Sequence, residues 1–230
     1  MKYILFLFIV INVNILVSQE KVIALEYGLT LEPEKDLFKD NPMLKQLLNE
    51  SVANAKNEKF TLLINKEGSK FFHNSSLNLN DKNYTPLMSN YQGETYSLNN
   101  DIYIKSLLLG NNIFIKKEKV KNWVITTETK LIDNYKCFKA TNTFQVISPN
   151  KVFNHPVIAW FCPDLPYNYG PNGYGNLPGL ILQLQEFNAI YGVKKISFNS
   201  EENFSFNELK NIKTLTQEEA DKILDDQMRG

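Results

Sequence analysis

The sequence predicts an α+β domain built mainly on a curved, mostly antiparallel β-sheet, with a covering N-terminal helix and a C-terminal helix. Short apolar or alternating segments follow one another along the chain and are separated by turn residues, which is typical of sequential antiparallel hairpins. Two segments show helical periodicity, and no βαβ rhythm appears, which disfavours a doubly wound nucleotide-binding fold.

Length and composition bound the class of protein. The 230 residues are enough for one domain, and a hydrophobic content of 43% is enough for a sizeable core. The 25 basic residues equal the 25 acidic ones, so the formal net charge is zero. Long-range attraction to nucleic acid is therefore not expected.

Residues 1–19 have the pattern of a secretory signal peptide. Lys2 provides the positively charged n-region, and Tyr3–Val17 forms the apolar h-region. This region is shorter than the roughly 20 apolar residues that span a bilayer, although an uncleaved anchor is the alternative. We expect export to the periplasm or to an outer-membrane association, with no transmembrane helix after signal removal. Residues 20–230 then form a single domain.

The N-terminal part of that domain predicts a strand followed by a helix. Val22–Leu31 is the strand, and the helix is expected over residues 42–56. Asn41 is a good N-cap, and Pro42 is favoured in the first helical position. The apolar stripe that should pack on the sheet consists of Leu44, Leu47, Leu48, Val52 and Ala55.

Two hairpins follow, each marked by apolar runs around a glycine-containing turn. The runs are Phe60–Ile64 with Lys70–Phe72, and Ile102–Leu109 with Ile113–Lys117. The turns are residues 66–69, where Gly68 is expected to adopt an unusual backbone dihedral, and Gly110–Asn112. The polar residues 74–100 between the hairpins are expected to hold short strands around a long surface loop.

The clearest strand alternation begins at Trp123 and continues to Leu131. Asp133 and Asn134 form the next turn. The strands expected after it are Tyr135–Phe144, Val157–Cys162, Leu180–Gln185 and Ile190–Phe198. The tail, about residues 214–230, is expected to be helical, because Thr216 and Glu219 have the spacing of a capping box.

The chain lacks the usual catalytic and cofactor motifs. His73 and His155 have no partners at metal-ligand spacing, and no phosphate loop, dinucleotide fingerprint or Gly-x-Ser-x-Gly elbow is present. We therefore expect no metal, no cofactor and no catalytic residue. A hydrolase with a non-standard site is the alternative, in which Glu128, Asp133, His155 or Asp164 would converge in a polar cleft.

The two cysteines, Cys137 and Cys162, lie on separate apolar segments. In an oxidising compartment a disulfide between them would persist. The alternative is a pair of buried thiols that act as small apolar side chains. A catalytic thiol is disfavoured, because only His155 is near in sequence as a base.

The segment from Ala159 to Leu182 concentrates aromatic and proline residues. Its candidate ligand-binding or partner-binding side chains are Trp160, Phe161, Tyr167, Tyr169 and Tyr174. Tyr and Trp offer both apolar area and a hydrogen bond, and the prolines stiffen the chain, so this loop could form a groove. The alternative is that these rings fill one end of the sheet as a small core.

Several motifs of the chain resemble those of one family. Residues 176–182 read NLPGLIL, residues 123–141 read WVITTETKLIDNYKCFKAT, and residues 159–161 read AWF. Together with Gly170-Pro171 and the Thr216–Glu219 tail, they identify the chain as similar to the GLPGLI family, also called Porph_ging. Asn176 stands where the family pattern has Gly.

The resemblance implies an exported protein typical of Bacteroidota, without an established activity. Members of the family look like companions of TonB-dependent outer-membrane systems. The motif itself, which comprises Asn176, Leu177, Pro178, Gly179, Leu180 and Ile181, is expected to anchor a turn to a strand rather than to bind a ligand. Pro178 fixes one dihedral, and Gly179 can adopt a positive φ or permit close approach of another backbone segment.

These observations favour an exported cell-envelope protein that binds a partner, a peptide or an apolar ligand. If it carries a ligand, the groove should be walled by inward positions of the strands within residues 102–131. The two alternatives are an envelope hydrolase and a structural scaffold, and the scaffold predicts an exposed apolar patch instead of a cavity.

Overall fold

The structure, a computed structural model, describes residues 21–74, 83–110, 113–148, 151–210 and 212–229. The predicted signal peptide lies outside these residues, as do Asn111 and Asn112 of the second predicted turn. The strands are β1 (Val22–Leu31), β2 (Lys59–Ile64), β3 (Gly68–His73), β4 (Gly93–Leu98), β5 (Asp101–Ser106), β6 (Ile113–Glu118), β7 (Val124–Ile132), β8 (Tyr135–Ser148), β9 (Lys151–Cys162), β10 (Leu180–Glu186), β11 (Ala189–Ser200) and β12 (Lys213–Leu215). The helices are α1 (Pro42–Asn54), α2 (Thr85–Met88) and α3 (Gln217–Arg229).

All 12 strands belong to one open sheet in the order β12-β6-β5-β4-β3-β2-β1-β11-β10-β9-β8-β7. Within the described part of the chain, every neighbouring pair is antiparallel except β12 with β6, which is parallel. Because most neighbours in the sheet are also neighbours in sequence, short hairpins build it with little crossing. The predicted α+β class with a mostly antiparallel sheet is thus confirmed at this level.

The first strand lies at the middle of the sheet, between β2 and β11. Leu25 and Tyr27 of β1 point into the main core, which also contains Phe60, Leu184 and Tyr191. The Tyr27 hydroxyl donates a hydrogen bond of 2.6 Å to the Ile181 carbonyl oxygen. This bond ties β1 to β10 through the interior.

Helix α1 begins as the sequence predicts. The Asn41 side chain accepts a hydrogen bond of 3.0 Å from the Leu44 N–H, and Pro42 occupies the first turn. Leu48 is fully buried and Ala55 joins the main core, whereas Val52 is 38% exposed. The apolar stripe that α1 buries is therefore narrower than the one predicted from its sequence. No helix within the described ranges is long and apolar enough to cross a membrane.

Helix α3 covers the strands expected to line a groove. Ile102, Ile104 and Ile115 of β5 and β6 pack with Leu215 and Ala220 in a second apolar cluster. The capping box that begins α3 is formed, since Thr216 N–H donates to Glu219 Oε2 at 2.7 Å and Glu219 N–H donates to Thr216 Oγ1 at 3.2 Å. The inward positions of β5 and β6 are filled rather than open.

The first hairpin turns one residue earlier than predicted. The Asn65 side chain accepts hydrogen bonds from the N–H groups of Glu67 and Gly68, at 2.9 and 3.0 Å. Gly68 is the first residue of β3 and has no positive φ. A Cβ at this position would lie 2.1 Å from the Ser97 carbonyl oxygen, so close approach of β4 is the reason for glycine.

Two further differences concern the strands themselves. Strand β9 starts at Lys151, six residues before the predicted Val157, because it pairs with β8 along its whole length. Strand β7 alternates in sequence, yet Val124 and Leu131 are 63% and 72% exposed. The reason is that β7 lies at the edge of the sheet and carries a register shift between Ile125 and Thr129.

Candidate functional site

The loop of residues 163–179, which joins β9 to β10, is anchored to the start of β10. Leu180 N–H donates to the Leu165 carbonyl at 2.9 Å, and Ile181 N–H donates to the Tyr169 carbonyl at 3.0 Å. Within the loop, Tyr169 forms an antiparallel bridge with Gly175. The carbonyl groups of the loop therefore accept hydrogen bonds from the first N–H groups of a core strand.

The motif at residues 176–181 makes the turn that ends this loop. Gly179 has a φ of +155°, and a Cβ there would lie only 2.1 Å from the Cys162 carbonyl oxygen. Asn176 has a φ of +60°, and its side-chain Nδ2 donates to the Val120 carbonyl at 3.0 Å. Leu177 and Leu180 are buried. These are the contacts of a turn-to-strand anchor, and asparagine tolerates the left-handed conformation of residue 176 better than most residues.

A buried polar cluster lies beneath the loop and centres on Glu186. Asn172 Nδ2 donates to Glu186 Oε2 at 3.1 Å, and the Tyr174 hydroxyl also bonds this carboxyl group. Burial raises the pKa of Glu186, and burial lowers the pKa of the nearby Lys117. Tyr191 closes the cluster and donates to the Ser89 carbonyl at 2.8 Å. The cluster fixes Asn172 and Tyr174, and thus the loop, over the core.

The five predicted aromatic residues do not converge on one site. Phe161 and Tyr174 are buried in the main core. Tyr169 is partly buried, with the Lys119 Nζ 4.6 Å from its ring centroid. Tyr167 and Trp160 are also partly exposed, and the depression that Tyr167 lines does not include Trp160.

Tyr167 lines a shallow depression of about 390 Å³. We call it the Tyr167 depression; its other walls are Lys21, Ile23, Ile64, Asn65, Lys66, Phe198 and Asn199. Ile23 and Ile64 belong to the main core, and Phe198 is 42% exposed. The depression therefore combines an apolar floor and aromatic sides with two lysines.

Trp160 lies on the face of the sheet opposite the Tyr167 depression. Lys130 Nζ is 4.2 Å from the centroid of its ring and donates to Gln183 Oε1 at 2.7 Å. The cation–π contact and the hydrogen bond hold Lys130, Trp160 and Gln183 as a unit across strands β7, β9 and β10.

The residues of the hydrolase alternative are scattered along the β7–β8–β9 hairpins. Glu128 is paired with Lys139 at 2.9 Å, and Asp133 lies in the turn between β7 and β8. His155 packs against Phe187, with ring centroids 4.1 Å apart. Asp164 is exposed at the start of the loop. Across the described residues, no group of three His, Cys, Asp or Glu side chains could hold a metal ion.

A buried contact between a histidine and a glutamate was missed by the sequence reasoning, which gave His73 no partner. His73 Nε2 contacts Glu58 Oε2, and their side chains are only 3% and 6% exposed. Asn83 Nδ2 donates to the other Glu58 oxygen at 2.8 Å. Burial by itself raises the pKa of Glu58, but the hydrogen bonds from His73 and Asn83 outweigh it and lower the pKa. The pair is 15 residues apart in sequence, so no local spacing signals it.

Cys137 and Cys162 are both buried free thiols. The register that pairs Phe138 with Phe161 brings the two cysteines opposite each other on β8 and β9. Burial raises the pKa of Cys137 to about 12, with a further increase from Cys162, and burial also raises the pKa of Cys162. A raised pKa disfavours a nucleophilic thiolate. The disulfide stays a prediction.

Comparison with protein families supports the sequence assignment. The family model Porph_ging, described as a protein of unknown function, matches residues 148–183. The matched stretch contains β9, the loop of residues 163–179 and the start of β10, and it includes the motif around Gly179. Over this stretch the match agrees with the family resemblance that the sequence motifs indicate. The comparison with curated proteins gives no match.

Among solved structures, PNGF-II in a C2 crystal form is similar at a TM-score of 0.53 and 14% identity, over 88% of this chain and 32% of that chain. PNGF-II in a P21 form gives a TM-score of 0.51 at 14% identity, over 88% and 33% of the two chains. This chain spans about a third of the length of the PNGF-II chains it matches. At this identity, the likeness shows a shared fold alone.

Proposed function

We propose that this protein is an exported cell-envelope binding protein without catalytic function, and that the Tyr167 depression holds a ligand with an apolar body and an anionic end. The proposed location is the periplasm or the outer membrane, beside TonB-dependent systems, and it rests on the pattern of residues 1–19 and on the family resemblance.

The composition of the Tyr167 depression carries this proposal. Its volume of about 390 Å³ falls within the roughly 300–1,000 Å³ typical of small-molecule sites. Tyr167 and Phe198 supply aromatic surface that an acyl or similar chain would cover, above the nearly buried Ile23 and Ile64. Lys21 and Lys66 supply positive charge beside it, which suits a carboxylate or phosphate.

In this proposal the sheet curves around the loop of residues 163–179, and the helices cover its ends. Gly173 supports such an arrangement, because a Cβ there would lie 2.9 Å from the side chains of Ile102 and Thr95. The loop, fixed by the Glu186 cluster, therefore separates two groups of strands and presents Tyr167 at the end of the main core.

Native mass spectrometry of the mature protein purified from its own envelope, with lipid extraction, tests the proposal. We expect a bound acyl-type mass in the wild type that is lost in Tyr167→Ala and in Phe198→Ser. Leu131→Ser is the matched control, because Leu131 is exposed on β7, away from the depression. A wild-type protein without ligand, or equal retention in all variants, would refute the proposal.

The edge strand β7 favours a second candidate function, the binding of a protein partner. Val124, Ile125 and Leu131 are all more than half exposed, and in the described chain β7 pairs with β8 alone. An exposed apolar edge is a template for an added strand. Crosslinking in the envelope should capture a partner with wild-type protein and lose it with Thr127→Pro, which blocks strand addition.

A further inference from the structure

A row of six directly paired residues crosses the face of the sheet opposite Leu25 and Tyr27. We call it the glycine row; its members, in order across the sheet, are Lys139, Trp160, Gln183, Gly192, Gly28 and Lys59. Directly opposed residues of an antiparallel sheet point to the same side. The row therefore places an indole ring and an amide beside two adjacent positions that have no side chain.

Nothing in the described chain requires glycine at these two central positions. Neither Gly28 nor Gly192 has a positive φ. A Cβ at Gly192 would meet no atom within 4 Å, and the three atoms nearest to a Cβ at Gly28 all belong to the flexible Lys194 side chain, the closest at 2.7 Å. Glycine inside a strand is destabilising, and it often marks a place where another molecule approaches the backbone closely.

The lysines in and beside the glycine row differ in whether a carboxylate pairs with them. Lys139 pairs with Glu128 at 2.9 Å, and Lys59 pairs with Glu26 at 3.4 Å. Lys130, in contrast, has no carboxylate within ion-pair distance among the described residues and contacts Gln183 and the Trp160 ring. Burial lowers its pKa, as expected for a cation that is partly removed from water without an acidic partner.

We propose that the glycine row is a binding site for the ring of an acidic sugar, such as a uronic acid unit of a glycan. The sugar's C–H face packs on the Trp160 indole, its hydroxyl groups bond the Gln183 amide, and its carboxylate pairs with Lys130. Gly192 provides the clearance that lets the ring reach the sheet, and the space extends over Gly28 when the flexible Lys194 side chain moves aside.

The position of the row supports a ring rather than a peptide strand. The backbone groups of β10, β11 and β1 are already paired within the sheet, so an extended peptide could not add to them. A sugar ring needs only side-chain hydrogen-bonding groups, an aromatic surface and free space above the sheet. This site lies on the face opposite the Tyr167 depression and does not depend on it.

Isothermal titration of the full chain with a galacturonic acid trimer tests this site, with maltotriose as the uncharged control. We expect the acidic trimer to bind and the neutral one to bind at least tenfold more weakly. Gly192→Val should weaken binding of the acidic trimer at least tenfold while its unfolding temperature stays equal or rises, since the position is open and lies inside a strand.

Three further variants complete the test. Thr127→Val is the matched β-branched control on exposed β7, and it should leave binding unchanged. Lys130→Met should remove the preference for the acidic trimer over maltotriose. Tyr167→Ala should not change binding, which separates this site from the proposed ligand depression. Absence of wild-type binding at millimolar trimer, or unchanged binding by Gly192→Val, would overturn the proposal.

Discussion

Gly179→Ala is expected to destabilise the protein strongly. The φ of +155° is a conformation that essentially only glycine adopts, and forcing alanine into it costs about 1–3 kcal/mol. The added Cβ would also lie 2.1 Å from the Cys162 carbonyl oxygen and 2.8 Å from the Pro163 nitrogen, which are backbone atoms that cannot rotate away. Overpacking of this kind costs about another 1–3 kcal/mol. The total loss in the free energy of unfolding is thus about 2–6 kcal/mol.

Urea and thermal unfolding followed by tryptophan fluorescence measure this effect. At about 2–4 °C per kcal/mol for a chain of this size, the midpoint temperature of thermal unfolding should fall by roughly 4–24 °C. Trp123 is a suitable reporter, because its Nε1 donates to the Gly175 carbonyl at 2.9 Å and so senses the loop.

Asn176→Gly is the matched control within the same motif. Asn176 also has a positive φ, but it is exposed, and glycine removes only the hydrogen bond to Val120. Its stability should stay within about 1 kcal/mol of wild type. An unchanged midpoint for Gly179→Ala, or an equal loss in both variants, would refute the view that the motif is a backbone anchor.

Three other predictions concern buried ionisable groups. Because the folded pKa of Glu58 is lowered by its bonds to His73 and Asn83, its stabilising contribution is full above the ordinary value of 4.5 and is lost as pH falls through the folded value. Glu58→Gln should therefore cost stability in urea titrations at neutral pH, and the difference should shrink in acid; a constant difference would contradict this. Burial raises the folded pKa of Glu186, so wild-type stability should decline as pH rises above 4.5, and Glu186→Gln should remove that decline. Cys137 and Cys162 should resist alkylation in the folded protein and react once it is unfolded without reductant; rapid native labelling would contradict their burial, and no labelling after unfolding would show a disulfide.

The local elements of this fold could be predicted well because their causes are local. The N-cap at Asn41, the capping box of Thr216 and Glu219, and the extent of β1 depend on side chains within a few residues of each other. The turn at Pro178 and Gly179 belongs to the same class, since both residues restrict or extend backbone dihedrals by themselves.

The register of the strands and the burial of their side chains could be predicted less well from the sequence. Alternation in β7 has the same period as in a half-buried strand, but its exposure follows from its place at the edge of the sheet. Ile102 and Ile104 could be recognised as inward-facing, but not that α3 covers them. In each case the deciding neighbour comes from a distant part of the chain.

The candidate sites show the same division. Residue types and short spacings were enough to predict the family resemblance, the α+β class, the aromatic loop and the motif that anchors it. Only the tertiary structure separated Trp160 from Tyr167, paired Glu58 with His73, and aligned Gly28 with Gly192. Those relations depend on which strands pair and in what register, and pairing is decided by the packing of the whole sheet.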